Sequence, residues 1–178
     1  CISESCLELL GEINKIKPVF VELGLQTSNE KTAEYINRCY KNEVFTDAVN
    51  RLRGAGLEVI VHVILGLPNE SLEDMLNTVK FVSAHDMQGI KLQLLHVLRG
   101  TRLADTDYTP MEMDEYFHVL GECLEHLRPD IVVHRLTGDG DKRILIAPLW
   151  SGDKHAVLNG FARYMEEHDI VQGRKYEE

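Results

Sequence analysis

The chain has 178 residues, 44% hydrophobic and 27% charged, with a formal net charge of −10. That length supports one domain with a proper core, and no apolar run approaches the roughly 20 residues that span a bilayer. The acidic balance repels phosphate backbones, so direct nucleic-acid binding by this chain is not expected.

The first helix opens at a Ser5-x-x-Glu8 capping box and runs to about Ile16, with Leu7, Leu10 and Ile13 as its apolar stripe. Val19 to Leu25 reads as a strand with Glu22 inside it. A carboxylate there either ends the strand in water or is paired and used. Thr27-x-x-Glu30 is a second capping box, before a short helix from Lys31 to about Arg38. Asn42 to Ala55 is a helix with Phe45, Ala48, Val49 and Leu52 on one face, stopped by Gly54 and Gly56.

Val59 to Leu65 is β-branched and nearly all apolar, interrupted only by His62. The pattern predicts a strand buried on both faces, as in a parallel sheet. Gly66 and Pro68 follow, then Ser71-x-x-Asp74 caps a helix carrying Leu72, Met75, Leu76, Val79 and Val82. In α/β sheets ligands sit at such a strand-to-helix junction. A glycine there admits a ligand close to the backbone, or is simply part of the turn.

Ile90 to Val97 is the next strand, with Lys91, Gln93 and His96 in it, and Arg99-Gly-Thr turns the chain. Met111 to Leu127 is a helix ended by Pro129. Ile131 to Leu136 is a strand leading into Thr137-Gly-Asp-Gly-Asp141. Ile144 to Trp150 is a short strand or buried segment, Val157 to Glu167 a last helix, and 173–178 a frayed tail. Strands alternate with helices, which predicts a mostly parallel sheet with right-handed crossovers. Three or four strands make a partial barrel or open sheet with an uncovered edge on the N-terminal side.

Four cysteines, Cys1, Cys6, Cys39 and Cys123, lie scattered, with no C-x-x-C pair. Cys1 and Cys6, five apart on a helix, are poor ligands for one metal. With no basic-then-apolar leader, a cytoplasmic chain with reduced thiols is expected. The start at Cys1 rather than Met points to a processed chain or a piece of a longer one.

Glu22-Leu-Gly-Leu-Gln-Thr, Ile36-Asn-Arg38, Ile64-Leu-Gly-Leu-Pro-Asn-Glu-Ser71 and Gly100-Thr101, in that order and spacing, resemble the second half of a radical-SAM core. The similar branch includes the Elongator catalytic subunit and the oxygen-independent coproporphyrinogen dehydrogenase. Val133-His-Arg-Leu-Thr-Gly-Asp-Gly140, Pro148-x-Trp150 and Lys154 resemble an uncharacterised bacterial group within it. The resemblance covers about residues 1 to 165.

It implies an α/β fold, a TIM-barrel-like partial (β/α) barrel or horseshoe. Residues 1–127 would be the second half of the core, 128–172 an extension packed on it, and 173–178 a tail. The implied cofactors are S-adenosylmethionine and a 4Fe–4S cluster on three cysteines of an early loop. The family's C-x3-C-x2-C is absent here. The cluster ligands are therefore expected upstream, no metal ligand is assigned within the chain, and the chain alone is expected to be an inactive fragment.

The resemblance also implies a cofactor-binding set. Glu22 belongs to it. Gln26 matches a polar contact, and Arg38 an arginine that pairs with the methionyl carboxylate. Taken by itself Arg38 reads as a solvated helix arginine; its spacing from Gln26 points to the ligand role. His62 matches an acid bonded to the ribose, and Gly66 with Leu67 the turn whose backbone meets adenine. Glu70 would be a cap or supporting residue. His96 flanks adenine or is a satisfied core histidine.

His134, Arg135, Thr137 and Asp139 would face the substrate, unless 137–141 is a plain Gly-Asp loop. The implied reaction is reductive cleavage of S-adenosylmethionine to a 5′-deoxyadenosyl radical that abstracts hydrogen from an unknown substrate. tRNA is one candidate, and the class is oxidoreductase or transferase. Alternatives are a phosphate- or metabolite-binding βα-barrel enzyme, with Gly66 and Gly100 cradling phosphate, and a non-catalytic α/β interaction domain. The partners expected are the small-molecule cofactor, no membrane, and a second copy through the exposed sheet edge.

Overall fold

A computed structural model describes residues 2–138 and 140–177. Its centre is a four-stranded parallel sheet in the order β1-β2-β3-β5, formed by Phe20–Gln26, Glu58–Leu65, Gly89–Leu94 and Val132–Arg135. The helices are α1 (Glu4–Asn14), α2 (Glu30–Tyr35), α3 (Asn42–Gly54), α4 (Leu72–Ser83), α5 (Met113–His126) and α6 (Lys154–Glu167). No helix among the described residues is long and apolar enough to cross a membrane.

Alternation sorts the sheet into two unlike faces. Val59, Val61, Val63, Leu65, Ile90, Leu92 and Leu94 are buried with Phe45, Val49, Met75, Val79, Leu120 and Leu124 in one core cluster. At roughly 1.5–3 kcal/mol per buried large side chain, this layer supplies most of the hydrophobic stabilisation. The opposite face carries Phe20, Glu22, His62, Lys91, Gln93 and Val132. There Phe20 and Val132 are 55% and 59% exposed. β2 is therefore buried fully on one side only: on the other, Ile60 is buried but His62 and Ile64 are partly exposed.

Other expectations shift locally. The first helix is capped by Ser3, whose Oγ accepts from Cys6 N, and α2 by Asn29 rather than Thr27. The Ser71–Asp74 capping box forms as expected. The strand expected over Ile90 to Val97 ends at Leu94. Val97–Leu98 (β4) instead pairs antiparallel with Leu145–Ala147 (β6). The tail expected to fray is tied down. Gly173 N donates to Leu124 O and Lys175 N to Glu125 O. Lys175 Nζ also reaches Glu122 and the 5% exposed Glu125 carboxylate, at 2.8 and 2.7 Å. These contacts satisfy the orphan carbonyls at the end of α5. Among the described residues β1 pairs only with β2, which leaves its outer edge open, as the element order predicted.

Candidate functional site

A hydrogen-bonded ladder crosses three strands on the open face. Lys91 Nζ donates to Glu22 Oε1. Glu22 Oε2 lies 2.6 Å from His62 Nε2, and His62 Nδ1 lies 3.0 Å from Gln93 Nε2. The ladder exists because the parallel register sets His62 beside Gly24 and Lys91. Hydrogen bonds first from Lys91 and then from His62 hold the Glu22 carboxyl below its ordinary value. Glu22 is thus both paired and water-facing, with its side chain 48% exposed.

Gln26 ends β1 with φ +61°, at a shift in register. Its carboxamide folds over Gly24, where any Cβ would overlap it.

Arg38 is 7% exposed, not a solvated helix arginine, and its fork is engaged throughout. Nε donates to Tyr40 O at 2.9 Å; Nη1 donates to Leu25 O at 3.1 Å and Thr27 O at 2.7 Å. Nη2 donates to Asn42 Oδ1 at 2.9 Å and lies 3.5 Å from Glu30. The loop it clamps is also held by Thr78, which accepts from Ser28 N, and by Asn29, which donates to Asp74. Glu70 supports the same loop by accepting from the Thr27 hydroxyl, and burial raises its carboxyl pKa.

The Gly66 turn has φ +80°. A Cβ on Gly66 would meet the Met111 methyl at 2.5 Å and the Tyr108 hydroxyl at 3.5 Å. Gly66 N donates to Met75 Sδ at 3.2 Å, and Gly66 O accepts from Tyr108 OH. Burial raises the Tyr108 hydroxyl to about 12, which keeps it a donor. The glycine thus makes room for this chain's own 108–111 segment. Trp150 Nε1 fastens that segment by donating to Met111 O at 3.2 Å. Leu67 is 3% exposed, its carbonyl accepting from Glu70 N.

A slot of about 390 Å³ opens just past the strand ends, between Ile36, Asn37, Leu67, Leu95, Arg102 and Thr106. Gln26 lies at this end of the sheet, whereas Glu22 and His62 meet near its middle. His96 sits against Gly138 and Gly140, where an added Cβ on either would crowd the outer atoms of its ring. His134 lies over Gly89, at the start of β3. Arg135 is in register with Lys91. Thr137 is 2% exposed and donates to Gly138 O, so it does not face outward. Asp139 lies outside the described residues. Lys91, Gln93, Arg102, Tyr108 and Met111 escaped the sequence reading; only the polar alternation of Lys91 and Gln93 on a strand signalled them.

Among the described residues no group of three or more His, Cys, Asp or Glu could hold a metal ion. Cys6 and Cys39 are exposed, and Cys123 is buried with its thiol pushed up to about 12. The described thiols therefore do not fit an iron–sulfur cluster. The slot has apolar walls and polar ends, and its volume falls in the usual range of small-ligand pockets.

Residues 2–82 match the family model for the Radical SAM superfamily, and residues 87–167 that for the Radical_SAM C-terminal domain. The chain is 37% identical over 182 residues to the uncharacterized protein YtqA of Bacillus subtilis, covering 99% of this chain and 56% of YtqA. It is 29% identical over 113 residues to the threonylcarbamoyladenosine tRNA methylthiotransferase MtaB of Bacillus subtilis, covering 62% of this chain and 24% of MtaB. It shares its fold with archaeal Elp3 of Methanocaldococcus infernus. The TM-score is 0.75 at 19% identity, over 96% of this chain and 40% of the other. The chain thus spans little more than half the length of the curated relatives that match it throughout.

Proposed function

The chain belongs to the radical SAM superfamily, and from that premise we propose that it forms the S-adenosylmethionine-holding side of an enzyme that abstracts hydrogen from its substrate. The family's cofactors, S-adenosylmethionine and a 4Fe–4S cluster, together supply an organic radical for that step. The observation that most supports the reading is the slot beyond the strand ends, lined at the turn that the family match includes.

In this reading Ile36, Leu67 and Leu95 hold the adenine ring and keep water from it. Gln26 and the Glu22–His62 pair offer polar groups toward the ribose. Lys91 keeps Glu22 ionised, so it accepts hydrogen bonds from hydroxyls. Arg38 acts on the site by fixing the Leu25–Thr27 loop. Cluster thiolates come from outside the described residues, in a polypeptide of the relatives' length. The phosphate-cradle alternative loses its main donor, because Gly66 N–H already meets Met75.

We take a tRNA base as the substrate class, on the strength of the similarity to MtaB. The net charge of −10 assigns the phosphate contacts to other parts of the protein. The test is anaerobic reconstitution with iron and sulfide, run on this chain and on full-length YtqA. Stoichiometric iron and 5′-deoxyadenosine are expected from YtqA alone. Iron and product from the 178-residue chain would overturn the assignment of the thiolates. Neither from YtqA would overturn the enzymatic reading.

A further inference from the structure

We propose that Trp150 is a positioning residue whose single indole holds two loops at the carboxyl end of the sheet: the Gly66 turn after β2 and the loop that leaves β5. For what the first loop binds, the proposal rests on the nucleoside reading above. Trp150 belongs to the Pro148-x-Trp150 motif and does not line the slot. One arm runs through its N–H. Nε1 donates to Met111 O at 3.2 Å. The Met111 methyl comes within 2.5 Å of where a Gly66 Cβ would stand, and Tyr108 donates to Gly66 O. The turn therefore rests on a segment whose far end Trp150 secures.

The other arm runs through its ring. The indole packs against Tyr116, with centroids 5.7 Å apart and planes tilted by 40°. Tyr116 is fully buried, and its hydroxyl donates to Leu136 O at 2.8 Å, just past the end of β5. Burial pushes that hydroxyl's pKa up, so it stays a donor. Thr137 then closes on Gly138 O at 2.7 Å, and Gly138 backs onto His96. A tryptophan suits both arms at once, because it offers a broad apolar face and one N–H donor.

A brace needs a fixed foot, and Trp150 has one. It sits in the 3₁₀ turn Leu149–Gly152, directly after β6, which is paired with β4. Pro148 O accepts from Ser151 N at 3.2 Å and from the buried Ser151 hydroxyl at 2.7 Å. Asp153 N donates to Trp150 O at 3.3 Å, and the Asp153 carboxylate caps α6 through Ala156 N. Loops outside the sheet ladder open at low free energy. Fastening two of them to one anchored side chain removes their independent motion.

Hydrogen exchange read by mass spectrometry on this chain separates the two arms. Trp150→Phe keeps a ring against Tyr116 and removes the N–H, so exchange should quicken over residues 106–112 and hold over 132–138. Tyr116→Phe should do the reverse. Trp150→Leu should quicken both segments about tenfold or more and leave α1 and α3 as they are. Quickening of one segment alone in Trp150→Leu would overturn the brace. So would equal quickening of α1 and α3, which would make Trp150 an ordinary packing residue. Isothermal titration calorimetry with S-adenosylhomocysteine reads the ligand side. Both Trp150 variants should weaken this probe although neither changes the lining of the slot. Wild-type affinity in both variants would overturn the positioning role and leave the nucleoside reading standing. No binding to the wild type would refute the nucleoside reading and the positioning role together.

Discussion

Replacing Arg38 by alanine should unfold the site before it weakens any ligand. Arg38 satisfies Leu25 O and Thr27 O, both in the loop after β1, and Tyr40 O beyond α2. A buried acceptor left without its donor costs about 1–3 kcal/mol. Two such carbonyls, with water able to reach the Tyr40 side, give about 3–5 kcal/mol for Arg38→Ala. For a chain of this length that lowers the melting temperature by roughly 6–20 °C. Lysine should recover little, because one ammonium on a thinner stem cannot serve Tyr40, Leu25 and Thr27 together. Urea denaturation of wild type, Arg38→Ala and Arg38→Lys, followed by circular dichroism, measures this directly. A loss below about 1 kcal/mol in Arg38→Ala would refute the clamp, since a solvated or ligand-facing arginine changes stability no more than an ordinary surface residue.

Lys175→Met should destabilise the chain by ~1–3 kcal/mol, because among the described residues the buried Glu125 then keeps only the Arg174 ion pair at 3.9 Å; an unchanged urea midpoint would show that the tail contact contributes nothing. The folded-state pKa of Glu22 is lowered, so its contribution is present above the ordinary value of 4.5 and lost as pH falls through the folded value. Lys91→Met removes the largest cause. It should therefore flatten the acid limb of a stability–pH profile between those values, and an identical limb in the variant would argue against the ladder. We also propose that the open edge of β1, with Phe20 at its start, pairs with a second copy. Light scattering should then show a concentration-dependent dimer that Phe20→Lys weakens, and a monomer in both chains would dismiss it.

The kind and order of elements were legible in the sequence because they are local. A β-branched run such as Val59–Leu65 has few conformational choices. The Ser71–Asp74 box closes within one turn. The alternation of βα units then dictates parallel pairing. The sheet edge at β1 and the pocketed turn after β2 followed from the same rhythm. What each glycine and each charge does was decided by tertiary structure. A Cβ on Gly66 would meet the Met111 methyl, from a residue 45 positions further along the chain. Arg38 looked like a free fork and instead closes its own loop. Lys91 and Glu22 are 69 positions apart and meet only through the sheet register. Periodicity reports which face a residue takes. Which partner it finds there depends on elements distant in the chain, whose approach is fixed only when the whole core packs.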